Sequence, residues 1–106
     1  MTGDLIRVVL ADDHAVVRAG LKAVLREAKD IEVIGEAKTG REAVAMAERF
    51  KPDVVVMDLS MPELDGTAAT KEITAKGLET RVLVLTMHAE EDYLVPLMKR
   101  VRRVIW

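Results

Sequence analysis

Short hydrophobic runs alternate along the chain with longer segments in which hydrophobic residues recur at helical spacing. The runs cover residues 5–11, 31–37, 54–57 and 81–86, and we expect each of them to form a strand. Residues 54–56 and 82–85 are hydrophobic at every position, which is typical of strands buried on both faces in the middle of a parallel sheet. The alternation therefore predicts βαβ units around one parallel sheet.

Helix signals fill the first two gaps between these strands. In the first gap, hydrophobic residues recur at helical spacing, at Val17, Leu21, Val24 and Ala28. They predict a helix with one apolar stripe and with polar residues on the opposite side. In the second gap, Thr39 followed by Glu42 forms a capping box, which predicts the start of a helix. We expect this helix to end at Lys51 and Pro52. We expect the side chains of Ala43, Ala47 and Phe50 to face inward.

Two further helices are predicted later in the chain. Asp65 is suited to cap a third helix, which would run to Ala75 and stop at Gly77. A fourth helix would follow the last strand, and its apolar stripe would consist of Tyr93, Leu94, Leu97, Met98 and Val101. Because Pro96 lies within this stripe, we expect a late start near Asp92 or a kink.

The order of these elements predicts an α/β fold. Right-handed crossovers between successive strands give a flavodoxin-like, doubly wound parallel sheet with the strand order 2-1-3-4-5. In such a sheet, ligands bind beyond the carboxyl ends of the strands, at the point where the strand order reverses. That point follows strands one and three, and the residues there are Asp12, Asp13 and Asp58.

Composition restricts the class of protein. With 106 residues the chain has room for one domain, and 50% hydrophobic and 32% charged residues are typical of a soluble globular protein. The net charge of -2 argues against general affinity for nucleic acid. The absence of cysteine excludes disulfides and thiolate metal sites, and no hydrophobic stretch approaches the ~20 residues that span a bilayer. We therefore expect a cytoplasmic protein without a membrane segment.

Three carboxylates at two neighbouring strand ends would repel one another unless a cation lies between them. Hard oxygen ligands favour Mg2+, which retains water molecules and accepts phosphate oxygens. Asp58 could then attack a phosphoryl donor, and the hydroxyl of Thr86, at the end of strand four, could hydrogen-bond a phosphoryl oxygen. The structural alternative for Asp12 and Asp13 is a helix N-cap pair that the helix dipole stabilises.

Three motifs carry a resemblance to a known family. They are Leu-Ala-Asp-Asp-His at residues 10–14, Val-Met-Asp-Leu-Ser-Met-Pro-Glu-Leu-Asp-Gly at 56–66 and Leu-Thr-Met-His at 85–88. Together they resemble a CheY-like response regulator receiver domain of the NarL/FixJ class, from about residue 6 to residue 99. The resemblance implies that a sensor histidine kinase phosphorylates Asp58. It also implies that Asp12, Asp13, Asp58 and the backbone carbonyl of Ser60 hold Mg2+, and that Thr86 is the switch residue.

The tail departs from this family. After Lys99 the family pattern is roughly Ala-Gly-Ala-Ser-Gly-Tyr-Leu, then an apolar residue and a lysine that pairs with the phosphoryl group, whereas residues 100–106 read Arg-Val-Arg-Arg-Val-Ile-Trp. We therefore expect an incomplete fifth strand, no fifth helix, and an uncovered face that favours a homodimer or a strand-exchanged oligomer. Deletion of one G from codons for the family pattern can produce residues 100–106, so a frameshift is one hypothesis beside truncation and natural variation.

Three functions remain open from the sequence. The first is a phosphoacceptor module, without separate substrate turnover, that controls a DNA-binding output domain absent from this chain. The second is a Mg2+-dependent Asp phosphatase, against which the lack of a cap domain and of a second acid or base argues. The third is an interaction module that works without phosphate. We do not expect His14 or His88 to bind metal, and we interpret the basic run at residues 99–103 as a solvated surface rather than a DNA contact.

Overall fold

Four parallel strands form one sheet in the order β2-β1-β3-β4. The structure is a computed structural model that describes residues 5–58 and 63–85. The predicted order is thus confirmed for four strands, whereas the predicted fifth strand, the fourth helix and the tail lie outside the described residues. The elements are β1 Ile6–Ala11, α1 Ala15–Arg26, β2 Ile31–Ala37, α2 Gly40–Phe50, β3 Val54–Asp58, α3 Gly66–Ala75 and β4 Arg81–Leu85.

Alternate residues of the central strands pack on opposite faces of the sheet. On one face, Val8 and Leu10 pack with Leu21 and Leu25 of α1. On the other face, residues of β1 and β3 pack with α2 and α3, and this group includes Val9, Ala11, Val55, Met57, Ala43, Ala47 and Ile73. Every one of these residues except Leu21 is at most 2% exposed. The sheet is therefore covered by helices on both faces, as predicted for a doubly wound fold.

The predicted signals at the ends of α2 and α3 are confirmed. The hydroxyl oxygen of Thr39 accepts a hydrogen bond from the backbone N–H of Glu42, at 3.0 Å. Helix α2 is followed by Lys51, a residue in the left-handed conformation with a φ of 47°. The Asp65 carboxylate accepts a hydrogen bond from the backbone N–H of Ala68, at 2.9 Å. These local contacts satisfy N–H groups that lack a partner within the helix.

Two predictions about inward-facing residues are wrong. Val17 is 43% exposed and Phe50 is 37% exposed. In α1 the buried positions are Arg18, Leu21 and Leu25, so the buried stripe is rotated by about one residue from the predicted stripe. Phe50 is the last residue of α2, and its ring lies against the Arg49 guanidinium, 5.5 Å from the ring centroid.

An irregularity in the pairing of β1 with β2 was not predicted. Val8 pairs with Val33, but Val9 pairs with Gly35, so Ile34 is an extra residue in β2. A Cβ atom on Gly35 would lie 3.3 Å from the sulfur of Met46, which indicates how closely α2 approaches the strand here. The extra residue reverses the alternation of side chains between the two halves of β2.

Within the described residues, none of the helices has the length and the hydrophobicity needed to cross a membrane.

Candidate functional site

The carboxyl ends of β1 and β3 bring three carboxylates together. Ala11 pairs with Met57, so Asp12, which follows β1, and Asp58, the last residue of β3, come next on adjacent segments of the chain. One carboxylate oxygen from each of Asp12, Asp13 and Asp58, together with a ring nitrogen of His14, lies within 4.8 Å of the others. The structure thus joins the three aspartates that the sequence analysis selected.

Backbone contacts fix the position of Asp12. Its N–H donates to the carbonyl of Ala37 at the end of β2, at 3.0 Å. Its side chain is mostly buried, and Oδ1 accepts a hydrogen bond from the backbone N–H of His14, at 2.7 Å. Asp12 therefore shapes the turn that leads into α1, but Asp12 and Asp13 are not an N-cap pair, because the N-cap residue of α1 is His14. This contact uses one carboxylate oxygen, Oδ1, and does not remove Asp12 from the acidic cluster.

His14 lies between two of the carboxylates. Its Nδ1 is 3.1 Å from Oδ1 of Asp12 and 3.0 Å from Oδ1 of Asp13. The hydrogen bond to Asp12, and then the negative charge of Asp13, raise the pKa of the His14 imidazole. A protonated imidazole at this position offsets the repulsion between the carboxylates. His14 was not predicted as a metal ligand, and Mg2+ prefers oxygen to imidazole nitrogen.

The donor set of the cluster fits a small, hard cation. Three carboxylates supply oxygen ligands, and their combined negative charge is unfavourable at this separation unless it is compensated. The side chain of Asp13 is 32% exposed, so the cluster is open to solvent and to a phosphoryl donor. Asp12, Asp13 and Asp58 are therefore the described residues that would hold Mg2+.

A buried cation beside the cluster was missed by the sequence analysis. The side chain of Arg18 is 9% exposed, and its Nη1 donates to the backbone carbonyl of Asp12. Its Nε donates to Glu36 at 3.1 Å, and Nζ of Lys22 donates to the second oxygen of Glu36 at 3.0 Å. The available signal was the helical spacing of Arg18 with Leu21 and Leu25, which places an arginine at the edge of the apolar stripe.

The bonds from the two cations affect the titration of Glu36. The hydrogen bond from Lys22 is the main cause that lowers the pKa of the Glu36 carboxyl, and the hydrogen bond from Arg18 adds to it, whereas partial burial acts in the opposite direction. Glu36 therefore remains ionised at neutral pH and continues to accept both hydrogen bonds.

Two of the predicted site residues lie outside the described residues. They are Ser60, whose carbonyl was expected to complete the metal ligands, and Thr86, whose hydroxyl was expected to contact the phosphoryl group. Their roles therefore stay predictions. The structure describes the strand positions that precede them, because β3 ends at Asp58 and β4 ends at Leu85.

Comparison with known proteins gives one consistent family. Residues 8–101 match the response regulator receiver domain family. The chain is 45% identical over 95 residues to the transcriptional regulatory protein LiaR of Bacillus subtilis, covering 90% of this chain and 45% of LiaR. It is 46% identical over 90 residues to the oxygen regulatory protein NreC of Staphylococcus haemolyticus, covering 84% of this chain and 42% of NreC. The chain thus spans less than half the length of these curated relatives.

Solved structures agree with this family. The signal receiver domain of NarL from Mycobacterium tuberculosis superposes with a TM-score of 0.78 at 32% identity, covering 90% of this chain and 78% of that one. The response regulator domain of CheB from Thermotoga maritima gives a TM-score of 0.75 at 39% identity, covering 92% of this chain and 72% of that one. The similarity thus extends over most of both NarL and CheB domains.

Proposed function

This chain belongs to the response regulator receiver family, and from that premise we propose that it accepts a phosphoryl group on Asp58 in a Mg2+-dependent reaction. The observation that carries the proposal is the cluster in which carboxylate oxygens of Asp12, Asp13 and Asp58 lie within 4.8 Å of one another. Of these three, Asp58 is the last residue of β3, a central strand of the sheet.

In the proposed reaction, a carboxylate oxygen of Asp58 attacks the phosphorus atom of the donor. A P–O bond to Asp58 forms while the bond from phosphorus to the leaving group breaks. With a phosphohistidine donor, the leaving imidazole nitrogen keeps the electron pair of the broken P–N bond. The product is an acyl phosphate on Asp58.

The other residues of the cluster prepare Asp58 for this step. Asp12 and Asp13 would hold Mg2+ together with Asp58, and the backbone carbonyl of Ser60 is proposed as a further ligand. When bound, Mg2+ would neutralise negative charge on the carboxylates and on the incoming phosphoryl group. Thr86 is proposed to donate its hydroxyl to a phosphoryl oxygen and to change position on phosphorylation.

Partners follow from the same premise. We propose a sensor histidine kinase as the phosphoryl donor, because the proposed step requires a phosphorylated donor that reaches an open carboxylate cluster. LiaR is named a transcriptional regulatory protein, and this chain matches 45% of its length. We therefore propose that any effect on DNA requires an output domain outside the present chain. We do not expect the domain to turn over a separate substrate.

Acetyl phosphate provides a direct test. The purified chain is incubated with acetyl phosphate and Mg2+, and intact mass spectrometry measures the phosphoryl adduct. We expect an adduct with Mg2+ and none with EDTA, and we expect hydroxylamine to remove it because it is an acyl phosphate. Asp58→Asn should abolish it, whereas Asp30→Asn, which changes an aspartate at the opposite end of the sheet, should retain it.

The outcomes separate the three functions. An adduct on the Asp58→Asn variant would show that another residue is the acceptor. Rapid consumption of acetyl phosphate without an adduct would favour a phosphatase. Neither adduct nor consumption would favour an interaction module that does not use phosphate.

A further inference from the structure

We propose that Arg18 is a positioning residue that holds Asp12 in the geometry required for Mg2+ binding, and that Glu36 fixes Arg18 for this purpose. The inference rests on the proposed function, because it assigns a role toward the same metal site. Arg18 does not belong to the acidic cluster, and its action on the cation would pass through the backbone of Asp12.

The first support is the burial of a charged group. The side chain of Arg18 is 9% exposed, although α1 has solvent-facing positions that suit an arginine better. Burial of a guanidinium is unfavourable unless its N–H groups are bonded and its charge is compensated. Arg18 meets both conditions through the carbonyl of Asp12 and the carboxylate of Glu36.

The second support is the acceptor that Arg18 uses. Asp12 follows the last residue of β1, and its N–H still pairs with Ala37 of β2. The hydrogen bond from Nη1 of Arg18 holds the other backbone group of Asp12, its carbonyl. Because both backbone groups of Asp12 are then bonded, the peptide planes on each side are held, and the carboxylate projects from a fixed backbone.

The third support is the irregular pairing in β2. Val33 packs on the α1 face of the sheet, so regular alternation would turn Glu36 to the opposite face. The extra residue, Ile34, reverses this alternation and pairs Glu36 with Leu10, whose side chain faces α1. Glu36 consequently reaches Arg18, and a regular strand would not allow this contact.

Positioning and simple electrostatics predict opposite results. Arg18 is a cation close to a cation site, so its charge alone opposes Mg2+ binding, and its removal would strengthen binding. If Arg18 instead positions Asp12, its removal weakens binding in spite of the lost repulsion. Substitution of residues that orient metal ligands typically reduces metal affinity by about 10- to 100-fold.

The experiment is a Mg2+ titration of the whole chain without a phosphoryl donor, followed by amide signals in 1H–15N NMR spectra. We expect Arg18→Gln to raise the Kd about tenfold. Arg18→Lys should also raise it, because one ammonium group keeps the charge but lacks the planar fork that reaches both acceptors. Lys22→Gln is the matched control, since it removes a positive charge that contacts Glu36 but not Asp12, and it should change the Kd by less than about twofold.

Each outcome decides the proposal. Unchanged or tighter binding by Arg18→Gln, with normal binding by the parent chain, overturns the positioning role and leaves the proposed function intact. Absence of Mg2+ binding in the parent chain overturns both. Should Arg18→Gln fail to fold, Glu36→Gln replaces it, because this variant weakens the anchor of Arg18, and a Kd equal to that of Lys22→Gln then overturns the proposal.

Discussion

Gly40, the first residue of α2, lies against the backbone carbonyl of Leu64, so that a Cβ atom on Gly40 would overlap the carbonyl oxygen. Leu64 belongs to the segment between Asp58 and α3. Glycine at position 40 therefore allows this segment to approach α2 more closely than any side chain permits.

We predict that Gly40→Ala destabilises the protein by about 1–3 kcal/mol, the usual cost of excess volume in a packed site. Urea unfolding gives the free energy. Gly77→Ala is the control, because Gly77 has a φ of 69° but no atom within 4 Å of the added Cβ, so its cost is confined to the backbone, about 1–2 kcal/mol. Gly40→Ala should also shift the amide signals of Glu63 and Leu64, and unchanged signals would contradict the close contact.

Removal of one carboxylate from the cluster should have opposite effects with and without Mg2+. We predict that Asp13→Asn raises the free energy of unfolding in EDTA by up to about 1 kcal/mol at alkaline pH, where the His14 imidazole is neutral, because one repulsive charge is lost and no ion pair with His14 is broken. The same variant should lose most of the stabilisation that Mg2+ gives the parent chain, which reaches about 2.7 kcal/mol at one hundred times Kd.

Thermal unfolding in EDTA and in excess Mg2+ measures both effects of Asp13→Asn. Glu79→Gln removes the same charge close to the start of β4, at the opposite end of the sheet, and should respond to Mg2+ like the parent. Equal Mg2+ stabilisation of Asp13→Asn and the parent would exclude Asp13 as a ligand.

Acid should weaken the bonds around Glu36. The pKa of this carboxyl is lowered in the folded protein, chiefly by the hydrogen bond from Lys22, from an ordinary value of 4.5. The folded state therefore binds a proton less readily than the unfolded state. The contribution of Glu36 to stability is complete above pH 4.5 and is lost as the pH falls through the folded pKa.

We predict that Glu36→Gln lowers the free energy of unfolding at pH 7 by about 1 kcal/mol or less, because the side chain is partly exposed and solvent screens its bonds. The difference from the parent should shrink in acid. Urea unfolding at neutral pH and at several pH values below 4.5 measures this difference in the free energy of unfolding. Glu32→Gln, at an exposed position on the same strand, is the control. A difference that is constant across this pH range would contradict the stabilising role of the ionised Glu36 carboxyl.

Thr80 provides a contact far from the acidic cluster. Its buried hydroxyl donates to the carbonyl of Pro52 at 2.7 Å, near the amino ends of β3 and β4. We predict that Thr80→Val destabilises the protein by about 1–3 kcal/mol, because the carbonyl is left without this donor.

Chemical denaturation measures this loss, and the Mg2+ affinity should stay unchanged. Thr74→Val is the control, since the Thr74 hydroxyl also donates to a backbone carbonyl but is exposed, and its removal should cost less than about 0.5 kcal/mol. Equal losses in the two variants would contradict the importance of burial at Thr80.

Much of the fold was predictable because its signals are local. The hydrophobic run that became β2 was predicted with the correct bounds, residues 31–37. The cap of α2 was predicted from the spacing of Thr39 and Glu42, and the cap of α3 from the residue type of Asp65. The three clustered aspartates followed from the general rule that parallel strands end at one edge of the sheet.

The missed features depend on contacts between distant segments. Arg18 was missed, because hydrophobicity alone cannot show that the carbonyl of Asp12 and the carboxylate of Glu36 lie close enough to compensate a buried charge. Likewise, nothing local in β2 marks Ile34 as the extra residue. The close approach of Met46 to Gly35 exists only after α2 has packed on the sheet.

The extra residue in β2 also divides that strand into two parts with different roles. Before Ile34, the strand contributes Ile31 and Val33 to the core beneath α1. After it, the same face presents Glu36, a charged acceptor, to Arg18 of that helix. Deletion of Ile34 would therefore make the pairing with β1 regular and leave Glu36 opposite Leu10, whereas a regular strand that kept all seven residues would turn Glu36 to the opposite face, away from Arg18.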